Sequence, residues 1–154
     1  MPSYVCTTTA GQLSTEQKSR IAAAITRVHH DVTGAPAYFV RVQFAEAANG
    51  DLFIGGARLD HDHLFVLGHI RSGRTSATKA ALVRGLAAGL QQTGGLHHRG
   101  IWVYLVELPP HSMAEFGHLL PEPGDEQAWA DALPDGDRAW MQSLDGPPHD
   151  EPPR

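Results

Sequence analysis

Residues 14–34, STEQKSRIAAAITRVHHDVTG, and residues 75–95, TSATKAALVRGLAAGLQQTGG, carry the pattern from which the architecture follows. In the first, Ser14-Thr15-Glu16-Gln17 is a capping box. Behind it Ile21, Ile25, Val28 and Val32 recur at steps of four, three and four, the period of a helix with one apolar stripe. Gly34 stands where a helix closes on a left-handed residue, and Pro36 forbids continuation. Adding 61 to each number carries Ser14 onto Thr75, Lys18 onto Lys79, Ile21 onto Leu82, Ile25 onto Leu86 and Gly34 onto Gly95.

The flanks obey the same offset. Residues 38–44 alternate Val40, Val42 and Phe44 against Arg41 and Gln43, which reads as a half-buried strand. Val5 maps onto Val66, Val42 onto Val103, Phe44 onto Leu105 and Glu46 onto Glu107. Cap, stripe, stop and strand repeat together, so the chain contains two β-α-β units, about residues 2–46 and 63–107. Each connection is long enough for a parallel crossover, which is right-handed almost always. The expected fold class is α/β of the α+β sandwich type: a four-stranded sheet with both helices on one face and the other face left for oligomerisation. Asn49-Gly50-Asp51 and Gly55-Gly56 bracket a short hairpin.

After Glu107 the repeat is exhausted and Leu108-Pro109-Pro110 breaks the strand. Ser112-Met113-Ala114-Glu115 reads as another capping box, leading into a short helix or turn from Phe116 to Leu120. Residues 127–133 and 138–144 read as small helices wrapping the body or a neighbouring subunit. The expectation is one domain over residues 1–145, with 108–145 as a C-terminal extension. The Pro- and Asp-rich residues 146–154 have nothing to bury and read as a disordered tail.

Composition bounds the function. The chain has 154 residues, 42% of them hydrophobic and 19% charged, ordinary for a soluble globular domain. The net charge of −5 comes without a basic stripe, which argues against nucleic acid. No apolar run approaches a membrane span of ~20 residues, and no signal peptide is seen. The lone Cys6 excludes an intramolecular disulfide, fits a reducing cytoplasm and reads as an inert core thiol. The ten histidines lack the spacing that puts ligands on one face, so no metal is expected.

Several residues carry possible chemistry, each beside a plainer reading. Pro2 would present a secondary amine once Met1 is trimmed, with a pKa adjustable around ~8; equally, it starts an edge strand where a missing N–H does no harm. Arg71 and Arg74 lead directly into the cap Thr75, where cations oppose the helix dipole by ~0.3–1 kcal/mol each. A carboxylate bound by the helix amides and both guanidinium groups would offset that; the alternative is two solvated arginines. His29 sits at the border of the buried stripe and either faces a semi-buried pocket or simply packs, while His30 turns ~100° further toward solvent. Tyr104 lies on the strand face opposite Val103 and Leu105, free to pack against a subunit neighbour. Glu115 has a structural role as the third helical residue of the Ser112 box.

Taken together, Pro2, His29, Arg71-Ser72-Gly73-Arg74 with Thr75, Ile101-Trp102-Val103-Tyr104, residues 113–117 and residues 120–124 resemble the cis-3-chloroacrylic acid dehalogenase family of the tautomerase superfamily. The resemblance runs from Pro2 to about Leu144. It implies a fused double β-α-β unit assembled as a homotrimer, working without a cofactor on a small carboxylate substrate. Arg71 and Arg74, assisted by His29, would bind the carboxylate. Glu115 and Tyr104 would activate water, and cationic Pro2 would protonate the α-carbon, giving malonate semialdehyde and halide. With Pro2 neutral, the same nitrogen would act as base in keto-enol tautomerisation of 2-oxo acids such as phenylpyruvate. With Met1 retained, the chain would be a non-catalytic trimeric binding protein. The physiological substrate stays open at this level.

Overall fold

Ser14 caps its helix as the spacing requires: its hydroxyl accepts from the Gln17 amide at 3.2 Å, and the Gln17 side chain accepts from the Ser14 amide at 2.9 Å. In the computed structural model, which describes residues 2–144, β1 (Ser3–Thr9) is followed by α1 (Thr15–Thr33) and β2 (Arg41–Ala47). A hairpin of β3 (Phe53–Ile54) and β4 (Ala57–Arg58) precedes β5 (Leu64–Arg71), α2 (Ser76–Gly94) and β6 (Ile101–Leu108). Both long helices have 19 residues and close on left-handed glycines, Gly34 at φ 71° and Gly95 at φ 67°.

The sheet order is β2-β1-β5-β6. β1 and β2 are parallel, β5 and β6 are parallel, and the two units meet antiparallel across β1 and β5. The offset of 61 therefore describes an approximate two-fold axis between β1 and β5. It reaches the side chains: Lys18 pairs with Glu46 and Lys79 with Glu107, each at 2.7 Å. Because β1 is an interior strand, Pro2 does not begin a sheet edge. It sits at the head of a central strand.

Both helices cover one face, as expected. Tyr4 and Cys6 of β1 and Leu64 and Val66 of β5 pack there against Ile21, Ile25, Leu82, Leu86 and Leu90. Burial pushes the Cys6 thiol up to about 12, in keeping with an inert core cysteine. The opposite face exposes Trp102, Tyr104 and Val106. Gly68 faces Tyr4 in the register, and a β-carbon there would lie 2.5 Å from the Tyr4 ring. The missing side chain makes room for that ring.

The extension departs from expectation at one point. No capping box forms at Ser112; the 112–120 segment instead makes a hairpin of β7 (Ala114–Glu115) and β8 (His118–Leu119). Its two turn residues, Phe116 (φ 54°) and Gly117 (φ 86°), both have positive φ, the signature of a type I′ turn. Gly117 adopts this freely, whereas Phe116 is strained. Its ring packs edge-on to Phe39 at 6.1 Å, which offsets the cost by burial. Glu115 thus lies on a short strand, not in a first helical turn. Helices α3 (Glu126–Ala132) and α4 (Asp135–Ser143) follow, and with the hairpin they enclose a second apolar cluster of Phe39, Leu120, Leu133 and Met141. Residues 146–154, expected as a disordered tail, lie outside the described residues. Among the described residues no helix is long and apolar enough to cross a membrane.

Candidate active site

The register decides which residues meet. Ser3 pairs with His69, so the head of β1 lies beside the end of β5, where Arg71 is the last strand residue and Arg74 stands in the turn before α2. The Arg74 Nη1 donates to the Arg71 carbonyl at 2.8 Å. Arg71 is only 7% exposed. Its Nη1 donates to the Pro121 carbonyl at 2.7 Å and its Nη2 to the Glu126 carboxylate, leaving Nε buried without a hydrogen-bond partner among the described residues. Burial and the neighbouring Arg71 lower the pKa of Arg74, yet a guanidinium stays charged. Gly73 between them has φ 104°, and a β-carbon there would stand 2.5 Å from Pro123; only glycine lets the 121–124 loop close over this turn.

An anion does therefore stand by the two cations, but it is Glu126, 55 positions from Arg71. A local reading of residues 71–75 had no access to it. Beside the arginines opens a cavity of ≈ 810 Å³, walled by Thr33 of α1 and by Tyr38, Phe39 and Trp129. Glu115 lines an adjoining cavity of ≈ 260 Å³ together with Ser3, and Tyr38 and Phe39 form walls of both.

His29 is not at a border; it is fully buried. Tyr4 turns it inward, with the phenol oxygen 2.7 Å from Nδ1, while Nε2 has no partner among the described residues. Burial first, then the Arg74 charge, holds the ring's pKa down at about 3, so His29 is uncharged at neutral pH. Burial likewise pushes the Tyr4 phenol far above its ordinary value, with Arg74 pulling weakly the other way. His30 points elsewhere, its Nδ1 2.9 Å from the Ala35 carbonyl.

Pro2 is buried at the head of β1, and its carbonyl accepts the Arg41 N–H at 3.1 Å. Pro2, His29, Arg71 and Arg74 thus share one end of the sheet, and Glu115 is brought to it by the hairpin. Tyr104 is not. It pairs with Leu67 in mid-sheet, on the open face, 55% exposed, edge-on to Phe65 at 5.1 Å. Sequence reasoning passed over Tyr4, Glu126 and Phe39. For Tyr4 a signal existed: a tyrosine sharing a strand face with Cys6 in a core needs a partner for its hydroxyl.

Chemically, the sheet end offers two cations and a neutral imidazole for a carboxylate, a carboxylate side chain at Glu115, and a proline nitrogen near the amino terminus. Among the described residues, no group of three or more His, Cys, Asp or Glu side chains is placed to hold a metal.

A family model described as "Putative oxalocrotonate tautomerase enzyme" matches residues 1–132. No curated protein matches the chain. Among solved structures, N1, a member of the cis-3-chloroacrylic acid dehalogenase family, is 33% identical, covering 92% of this chain and 99% of its own, with a TM-score of 0.88. Pt0534 inactivated by 2-oxo-3-pentynoate is 25% identical over 76% of this chain and 94% of its own, with a TM-score of 0.69. A fused 4-OT solved as a symmetric trimer is 23% identical over the same shares, with a TM-score of 0.69, a likeness of fold alone.

Proposed function

The chain belongs to the cis-3-chloroacrylic acid dehalogenase family of the tautomerase superfamily, and from that premise we propose that it hydrates small 3-substituted unsaturated carboxylates without a cofactor. Arg71, Arg74 and His29 hold the substrate carboxylate and draw electron density from the β-carbon. Glu115 takes a proton from water as its oxygen attacks that carbon, and the Pro2 ammonium, exposed once Met1 is trimmed, protonates the α-carbon. With a halogen at the β-carbon, the resulting halohydrin expels halide and leaves malonate semialdehyde. The observation that carries this reading is the convergence of the arginine pair and a buried, uncharged His29 on the end of the sheet where Pro2 and Glu115 lie.

Tyr104 joins this machinery only from a neighbouring copy. Phe53 (60% exposed), Trp102 (40%) and Tyr104 make an apolar open face suited to such a neighbour, and we place the working form as a homotrimer in the cytoplasm, supported by the trimeric fused 4-OT of like fold.

One observation favours a second reading. The ≈ 810 Å³ cavity with Tyr38, Phe39 and Trp129 in its walls is large for a three-carbon acid and suits an aryl-bearing 2-oxo acid, tautomerised with neutral Pro2 as base. Incubating the Met-trimmed protein with cis-3-chloroacrylate, and separately with phenylenolpyruvate, tells them apart. Malonate semialdehyde and chloride released by wild type, and lost in both Pro2→Ala and Glu115→Gln, supports hydration. Ketonisation that needs Pro2 but survives Glu115→Gln, with no chloride release, replaces it by the tautomerase. Neither activity in the trimmed protein, with Met1 retained in the intact mass of the protein as isolated, leaves a binding protein.

A further inference from the structure

The Tyr4 hydroxyl lies 2.7 Å from Nδ1 of His29, the rings are edge to face at 5.8 Å, and both side chains are wholly buried. Two proton arrangements are open to such a pair. If Nδ1 carries the hydrogen, it donates to the Tyr4 oxygen; the phenolic hydrogen then lacks an acceptor and Nε2 is a bare lone pair, so two buried groups go unpaired. If Tyr4 donates to Nδ1, one group alone stays unpaired, the Nε2–H. Each buried unpaired polar group costs about 1–3 kcal/mol, so the second arrangement is favoured.

The surroundings keep the ring neutral. Burial first, then the Arg74 charge, with a smaller contribution from His30, disfavours a second proton on the His29 ring. The Arg74 charge acts on Tyr4 as well. A bare nitrogen lone pair would repel a carboxylate held by these arginines, whereas an N–H donates to it. The Tyr4 ring in turn fills the space that the missing side chain of Gly68 leaves.

We propose that Tyr4 is a positioning residue whose hydroxyl pins His29 in the tautomer carrying hydrogen on Nε2, making His29 a neutral donor to the substrate carboxylate. The donor role rests on the carboxylate reading given above; the tautomer does not. One consequence is that carboxylate binding through His29 needs no protonation event across the neutral pH range.

The test uses proton–nitrogen correlation spectra of the imidazole, with the His29 signal assigned by its loss in His29→Gln. In wild type, Nδ1 is expected bare and Nε2 protonated, and in Tyr4→Phe that preference is lost. The KM for cis-3-chloroacrylate should rise roughly tenfold in Tyr4→Phe, the worth of one well-placed hydrogen bond, with kcat little changed. Tyr4→Phe should add nothing to His29→Gln. Wild-type His29 protonated on Nδ1, or on both nitrogens at neutral pH, overturns the proposal whatever the activity. Additive losses in the double variant overturn it too, because Tyr4 would then act through packing alone. Absence of turnover by wild type counts against the carboxylate reading, and the spectra still decide the role of Tyr4.

Discussion

Replacing Gly68 by alanine probes how the site is held without touching any residue given a chemical role. A β-carbon there would stand 2.5 Å from Cε1 and 2.8 Å from Cδ1 of Tyr4, and 2.9 Å from Cδ2 of Leu105. Carbon atoms in contact sit ~3.5–4.0 Å apart, so the ring must retreat by about 1 Å. It has no free space, since Tyr4 is 0% exposed. Retreat carries the hydroxyl from its present 2.7 Å separation from His29 beyond hydrogen-bonding range. Overpacking costs about 1–3 kcal/mol and the lost buried hydrogen bond about 1 kcal/mol more. The smaller conformational freedom of alanine in the unfolded chain returns about 0.4–1 kcal/mol. The expected net loss is about 1–4 kcal/mol, read from urea midpoints at unchanged m-value, together with a rise in KM like that of Tyr4→Phe. Gly68→Ala within about 0.5 kcal/mol of wild type, the range of an inert surface change, with the Tyr4–His29 bond intact, would refute the packing argument.

Two further outcomes follow from burial. The folded-state pKa of His29, about 3 against an ordinary 6.5, means that between those values the unfolded chain binds a proton the folded chain refuses. Stability should fall as pH drops through that window, by up to ~1.4 kcal/mol per pH unit, and His29→Gln should flatten the slope in urea titrations across it. Cys6, buried and with its thiol pushed up to about 12, should resist thiol reagents in mildly alkaline buffer until denaturant unfolds the chain; fast labelling of the native protein would contradict its place in the core.

The repeat was legible because each of its signals is local. Ser14 with Gln17, Gly34, and the stripe from Ile21 to Val32 need only a few neighbours in sequence, and their counterparts recur at one offset, so strand pairing and helix placement followed. Arg71, Arg74 and Pro2 were legible as chemistry in odd places, a cation pair ahead of a helix and a proline behind the initiator. What escaped was set by distant partners. Glu126 meets Arg71 through a loop and a short helix that the sequence does suggest at 127–133, but nothing local shows where that helix docks. His29 looked like a border residue because the stripe of α1 does not reveal that Tyr4 crosses beneath it. Glu115 was misplaced because Ser112 and Glu115 satisfy the spacing of a helix start, while the Phe116-Gly117 turn depends on a phenylalanine accepting positive φ in exchange for contact with Phe39. Tyr104 is on the open face, as its strand parity indicated, so its distance from the arginines is a property of the single chain.

The internal two-fold also bears on how such a protein can change over generations. Where the first unit has Pro2 and His29, the second has His63 and Leu90; where the second has Arg71, Arg74 and Tyr104, the first has Ala10, Leu13 and Gln43. The ion pairs and helix caps persist in both copies, while the residues of the candidate site each occur in only one. An assembly of separate identical units must present any substitution at every equivalent position at once. Joining two units in one polypeptide removes that constraint, so one copy can keep a reactive group while its twin drifts or takes up a supporting part.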